Sequence, residues 1–314
     1  MIGRDMAAGK GLGQDDPMST ATAENLKPVY RSEHLSDADR RCWDRDGFVV
    51  ARGLLRPDEV TEIREHFASL AAEPTPIDGH WHPATNAEVA ARDPLKRYPR
   101  FLQPHGFSDV AKRYMLHERI GDVLRELMQD EPIAAQSMFY FKPTGAKGQA
   151  LHQDNYYLRV SPFTCVAAWC AIDPSRPENG GMSLVPGTKD YALQCPRLGE
   201  DTPEHVRSGS FSHDYVAPPA GTEAVPCVME PGDVLLFNGS VIHGSGPNDH
   251  ESLWRRSFIC HYMPAAATEI ADWYHEYGLW DFAGQQVRRE VSKDEGGPCG
   301  TDDTQMKAGM TITV

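Results

Sequence analysis

Long apolar runs are missing from this chain, and nowhere do the roughly 20 consecutive apolar residues of a membrane-spanning helix occur. The first thirty residues also lack the apolar core of a signal peptide, so a cytoplasmic protein is expected. Basic charge is scarce. Lys and Arg number 31 against 45 Asp and Glu, and the net charge of −14 argues against nucleic acid, whose binding needs clustered cations. An anionic membrane surface is disfavoured for the same reason. Seven cysteines are present, an odd number, and no zinc-type CxxC pair occurs among them, so reduced thiols are expected. No internal repeat is apparent. What remains is ordinary globular material. A hydrophobic fraction of 40% and a charged fraction of 24% over 314 residues suffice for one large domain or two small ones with a substantial core.

Residues 1–28 are Gly-rich, polar and aperiodic, and read as a mobile tail. Residues 29–283 read as a single domain, helical at first and strand-rich from about 133 to 265, and 284–314 as a C-terminal extension. In the helical part Ser36 is placed to cap a helix containing Ala38, Cys42 and Trp43, with Asp39 completing a capping box. Pro57 suits a first helical position and Asp58 and Glu59 the first turn, ahead of a stripe of Val60, Ile63, Phe67 and Leu70. Ser108 precedes a further helical stretch whose buried face would hold Ile120, Val123, Leu124 and Leu127. Residues 73–106, with several Pro and His, read as irregular structure and a candidate pocket wall. Strands are then expected at Ile133–Lys142, Ala150–Val160, Thr164–Ile172, Gly181–Val185, Val225–Glu230, Asp233–Asn238, Ser240–His243 and Arg256–Met263. Short strands with Pro-Gly punctuation argue for an antiparallel sandwich or jelly roll. The long polar segment from Lys189 to Pro226 interrupts the series and is expected to form part of a substrate lid, along with residues from 73–106.

The chemistry concentrates in His152-Gln153-Asp154. On an extended strand the first and third of these side chains point the same way, so one imidazole and one carboxylate can reach a single metal from one side. His243 lies 91 residues further on, beyond a Pro231-Gly232-Asp233 turn and the apolar run Val234-Leu235-Leu236-Phe237. A second imidazole from that strand completes three ligands on one face and leaves the opposite face open, as non-haem Fe(II) oxygenases require for a cosubstrate and O2. Downstream, Arg255 or Arg256 offers a guanidinium for the remote carboxylate of a 2-oxo acid. Neighbours on a strand point oppositely, so only one of the two can face the pocket, and the register of Cys260-His261-Tyr262 favours Arg255. Gln136 shares the inward parity of its strand with Tyr140 and Lys142 and is a candidate contact for cosubstrate or substrate. The remaining histidines carry no such pattern: His261 reads as an ordinary strand residue, and His80, His82, His205, His213, His250 and His275 as exposed.

The motifs Leu151-His152-Gln153-Asp154-Asn155-Tyr156-Tyr157, Ala168-Trp169, Glu178-Asn179-Gly180-Gly181, Val185-Pro186-Gly187-Thr188, Pro231-Gly232-Asp233 and His243-Gly244-Ser245-Gly246 resemble, in this order, those of the phytanoyl-CoA dioxygenase (PhyH) family. The resemblance covers roughly residues 40 to 265. It implies a double-stranded β-helix core with flanking α-helices, and Fe(II), 2-oxoglutarate and O2 as cofactor and cosubstrates. Carried over by position, His152, Asp154 and His243 resemble the iron ligands. Arg255 resembles the arginine facing the far carboxylate of 2-oxoglutarate, Ser245 the hydroxyl that assists it, and Trp169 an aromatic wall of that pocket. The family commonly sets the arginine about eleven residues after the distal histidine; Trp254 stands there, and the two arginines follow.

These readings imply a 2-oxoglutarate-dependent dioxygenase that hydroxylates a small-molecule metabolite and releases succinate and carbon dioxide. A carboxylate at Asp154 fills the position a halide would need, which favours hydroxylation over halogenation. Desaturation or ring formation would use the same residues. A non-catalytic jelly-roll binding protein would show no iron-dependent turnover of 2-oxoglutarate, and a zinc hydrolase on the same barrel would be indifferent to O2. Substrate identity and oligomeric state are left open by the sequence.

Overall fold

Helix α1 (Asp37–Asp46) starts where the sequence asks for it. The Ser36 side chain accepts from the Asp39 amide, and the Asp39 carboxylate accepts from the Ser36 amide at 2.8 Å, a complete capping box. Helix α2 (Pro57–Ala72) opens on a proline that needs no amide partner there. Its Val60, Ile63 and Phe67 are buried, with Phe67 stacked on Phe139 at 4.0 Å between ring centroids. Burying one such aromatic ring contributes roughly 1.5–3 kcal/mol. The stretch after Ser108 is two helices, not one: α3 (Asp109–Met115), capped by the Ser108 hydroxyl, and α4 (Glu118–Met128). Ile120, Val123 and Leu124 are buried as the periodicity requires. The computed structural model describes residues 30–292, apart from 74, 76, 78–87, 89–93, 198–201 and 213. The proposed tail, much of segment 73–106 and the end of the proposed extension therefore lie outside the described residues.

Fourteen strands are described: β1 (Phe48–Ala51), β2 (Phe101–Leu102), β3 (Pro132–Tyr140), β4 (Gln149–His152), β5 (Val166–Ala171), β6 (Met182–Leu184), β7 (Val225–Pro226), β8 (Val234–Asn238), β9 (His243–Ser245), β10 (Ser257–Pro264), β11 (Glu269–Ile270), β12 (Leu279–Trp280), β13 (Gln286–Val287) and β14 (Glu290–Val291). The large sheet runs β1-β8-β5-β10-β3-β12-β13, with β2 also on β3, and the small one β4-β9-β6-β7. All of these pairings are antiparallel. Each inner strand of the large sheet is buried on both faces, and the period of two sorts its side chains. Ala168, Cys170, Leu236, Phe258 and Cys260 share a core with α2, α3 and α4. Ala167, Trp169, Leu235, Phe237 and Ile259 point the other way and meet Met182 and Leu184 of the small sheet. This is the jelly roll with helices on one side, and the second face frames the site.

Several boundaries differ from the sequence reading. The expected strand Ala150–Val160 stops at His152 and gives way to a helical turn, α5 (Asn155–Leu158). The expected strand ending at His243 instead begins there, because residues 238–241 form the turn after β8, closed by the Val241 amide on the Asn238 carbonyl at 2.9 Å. Segment Lys189–Pro226 contains α6 (Glu204–Gly209) and a bridge between Arg197 and Tyr215. Residues 286–291, placed in the extension on sequence, pair as β13 and β14 with β12 and β11. Cys42, Cys165, Cys170, Cys227 and Cys260 are free thiols, whereas Cys195 is disulfide-bonded, against the all-thiol expectation. Among the described residues no helix is long and apolar enough to cross a membrane.

Candidate active site

Two neighbouring strands of the small sheet bring the distant histidines together. In the β4–β9 ladder His152 stands directly opposite His243, and their rings lie 4.2 Å apart between centroids. Gly244 is required for this approach, since a Cβ there would meet the Gln149 carbonyl at 2.8 Å. Asp154 arrives by another route than the one expected. It is not on the strand but in the right-handed helical region (φ −64°, ψ −36°), capping α5, and the turn of the chain rather than strand parity swings its carboxylate back. Oδ1 of Asp154 lies 3.3 Å from Nε2 of His152 and 3.5 Å from Nε2 of His243.

All three side chains are buried, and one ligand atom from each falls within 4.8 Å of the others. Among the described residues no other group of His, Cys, Asp and Glu does so. Nδ1 of His152 faces the Ala150 carbonyl at 2.8 Å and Nδ1 of His243 the Val241 carbonyl at 2.9 Å. Each Nδ1 therefore carries the proton, and both Nε2 lone pairs converge on the carboxylate side. Burial alone would raise the Asp154 carboxyl, yet the His243 and His261 rings hold it well below the usual range, while burial keeps His243 below its ordinary value. Two neutral imidazoles and one carboxylate on one face are a donor set that fits ferrous iron.

Arg255 and Arg256, immediately before β10, turn to opposite sides. Arg256 turns outward into a two-pronged pair with Asp173, at 2.7 and 2.8 Å. Arg255 turns inward and is 5% exposed, with Nε on the Gly180 carbonyl at 3.2 Å and Nη1 on Ser257 Oγ at 2.9 Å. Its guanidinium carbon lies 5.3 Å from the Trp169 ring centroid. Among the described residues it has no carboxylate partner, and burial pulls it down to about 10. A buried cation without a carboxylate partner among the described residues is suited to receive an anion.

A cavity of about 180 Å3 joins these groups; Gln136, His152, Asp154, Trp169, His243, Ser245 and Arg255 all border it. The phytanoyl-CoA dioxygenase (PhyH) family model matches residues 43–257. The chain belongs to the phytanoyl-CoA dioxygenase family. It is an Fe(II)- and 2-oxoglutarate-dependent dioxygenase with a His-Asp-His cluster in its jelly roll. It is 28% identical over 243 residues to the ectoine dioxygenase of Sphingopyxis alaskensis, covering 71% of this chain and 76% of that protein. With the peroxisomal phytanoyl-CoA dioxygenase of Mus musculus it shares 26% identity over 249 residues, 76% of this chain and 71% of that one. The crystal structure of EctD from S. alaskensis with 2-oxoglutarate and 5-hydroxyectoine has a similar fold, with a TM-score of 0.59, 22% identity, and coverage of 77% and 83%.

Two features of this dioxygenase escaped sequence reasoning. His261, taken for an ordinary strand residue, puts Nε2 2.8 Å from Asp154 Oδ2. Lys142 is fully buried, and its Nζ donates to Ser245 Oγ at 3.1 Å, to the Gly180 carbonyl at 3.1 Å and to the Gly246 carbonyl. Burial, then the charge of Arg255, push its ammonium well below the ordinary lysine value. Gly180, at φ +73°, leaves the room this requires, since a Cβ would meet Lys142 Cε at 2.8 Å. On the far wall Phe211, Ser212 and Asp214 of the long polar segment, which the sequence reading assigned to a lid, border the cavity. Their arrival depends on contacts made across the fold: Tyr157 Oη donates to Asp214 at 2.8 Å, and the Arg100 guanidinium lies 4.0 Å from the Phe211 ring centroid. Inward parity and the aromatic pair after Asp154 were the only sequence signals for these groups.

Proposed function

We propose that this dioxygenase hydroxylates an unactivated carbon–hydrogen bond of a small-molecule metabolite, with His152, Asp154 and His243 holding Fe(II) and Arg255 receiving 2-oxoglutarate. The observation that carries this reading is the buried, carboxylate-free Arg255 guanidinium lining the same cavity as the three converging ligands. Iron with 2-oxoglutarate and O2 supplies oxidative decarboxylation to succinate and carbon dioxide and the power to break an inert carbon–hydrogen bond. The chain supplies the positioning. Arg255 gives a charge-assisted pair for the far carboxylate, Ser245 Oγ adds a hydroxyl that Lys142 holds in place, and Trp169 backs the guanidinium. The Gln136 amide, buried and bordering this cavity, is a further polar contact. Ectoine dioxygenase among the relatives, and the EctD complex with 5-hydroxyectoine, support a compact hydroxylated product. The test is a substrate screen read by succinate release, with a product 16 mass units heavier than its substrate, roughly one oxygen atom, as the hydroxylation signature. Succinate formation that persists without iron or without O2 overturns the reading.

The wall formed by Phe211, Ser212 and Asp214 makes segment 189–226 the lid of this site in the same proposal. Closed lids exclude water from the reacting centre and keep the oxidising step coupled to substrate. Limited proteolysis is expected to cut within 189–226 in the metal-free protein and to slow when Fe(II), 2-oxoglutarate and substrate are added together under nitrogen. Cleavage at an unchanged rate sinks the lid.

A further inference from the structure

His261 lies outside the ligand set but touches it. It is 3% exposed, in the middle of β10, where the ladders place it opposite Gln136 of β3 on one side and Ala167 of β5 on the other. Its Nε2 faces Asp154 Oδ2 at 2.8 Å, while its Nδ1 is buried with no hydrogen-bond partner among the described residues. A single ring proton belongs on the nitrogen that has an acceptor, so Nε2–H donates to Oδ2.

We propose that His261 is a positioning residue that keeps Asp154 on the metal through one oxygen only. The inference rests on His152, Asp154 and His243 being the iron ligands. Asp154 needs such support because it sits at the head of a short helical turn, not in a ladder, and the last torsion of an aspartate is broad. An unsupported carboxylate can rotate and bind through both oxygens. In an octahedral site three protein ligands and a two-point cosubstrate leave a single position for O2. A two-point Asp154 would occupy it. The charge-assisted bond from His261 takes the lone pair of Oδ2 and aims Oδ1 at the two Nε2 atoms. The donor stands on a strand paired along both edges, so the sheet itself sets the carboxylate plane.

Two variants separate this role from mere packing. His261→Phe keeps a ring and loses the donor; His261→Gln carries an N–H the same number of bonds from the backbone. Each is titrated anaerobically with Fe(II), following the visible charge-transfer absorption of the iron–2-oxoglutarate complex. Co(II) absorption spectra report coordination number, and thermal unfolding of the metal-free proteins monitors the fold. His261→Phe is expected to weaken Fe(II) binding by about 10- to 100-fold and to shift the Co(II) absorption spectrum away from that of the wild type. His261→Gln is expected to stay near wild type on both. Where the phenylalanine variant does not fold, His261→Ala with added imidazole replaces it, and recovery of iron affinity on adding imidazole is the expected result. Unchanged iron binding and Co(II) spectra in His261→Phe, equal damage in His261→Gln, or no recovery with imidazole overturns the proposal. A wild-type protein that fails to bind Fe(II) instead overturns the ligand assignment on which it rests.

Discussion

Alanine at His152, Asp154 or His243 is expected to abolish Fe(II)-dependent succinate formation. Each substitution removes one of three donors from a site whose atoms lie within 4.8 Å of each other, which weakens the hold on a labile ferrous ion and breaks the facial donor set. The fold should survive. The cores of the large sheet are assembled from other residues, and outside the ligand cluster His152 and His243 bond local groups: the Ala150 and Val241 carbonyls through Nδ1, and Gln149 Nε2 beside Nε2 of His152. Losing Asp154 has a further consequence, since it leaves the His261 donor buried without an acceptor and should cost about 1–3 kcal/mol of stability beyond the histidine variants. Succinate yield and thermal unfolding, measured side by side, check both parts. Full turnover in His243→Ala removes the distal ligand from the assignment. Loss of activity accompanied by global unfolding in all three variants removes the claim that the site is separable from the core.

Arg255→Gln is expected to raise the 2-oxoglutarate requirement by roughly 30-fold or more. Breaking a buried, two-pronged ion pair costs roughly 2–5 kcal/mol, and each ~1.4 kcal/mol is a factor of ten. Arg256→Gln, one residue on, should leave the requirement alone and lower thermal stability, because that guanidinium is committed to Asp173. Ser245→Ala should give a smaller rise in the same direction, about that of one neutral hydroxyl, and should strip Lys142 of one of its three acceptors. The apparent affinity for 2-oxoglutarate, followed by succinate release, distinguishes the three. Damage from Arg256→Gln in place of Arg255→Gln would place the cosubstrate on the other face of the strand. A requirement that neither substitution alters would mean that 2-oxoglutarate is held elsewhere.

Local chemistry was legible in the sequence wherever neighbours along the chain decide it. The Ser36 capping box, Pro57 at the head of a helix and the Val60-Ile63-Phe67 stripe each depend on a few neighbouring positions of the backbone itself, and the opposite facings of Arg255 and Arg256 were anticipated although both lie just before β10. Periodicity also misled. His152 and Asp154 share a site, but strand alternation is not the cause, because β4 ends at His152. The break at 116–117 that divides α3 from α4 was equally invisible, since both helices carry good helix formers and only their docking on the sheet sets the angle between them.

By itself, then, the chain's order of residues determined that strands follow helices, that the sheet is antiparallel in character, and which three side chains are fit to bind a metal. These follow from backbone period, turn residues and donor chemistry, all of which act over a few positions. The tertiary structure alone decided that β4 lies against β9, so that imidazoles 91 residues apart become cross-strand neighbours. It also decided that His261 reaches Asp154, that Lys142 is buried beneath Ser245, and that Phe211 and Asp214 wall the cavity. Contacts of that kind are set by which strands pair and which face each one buries, and the free energy that selects them is spread over the whole core.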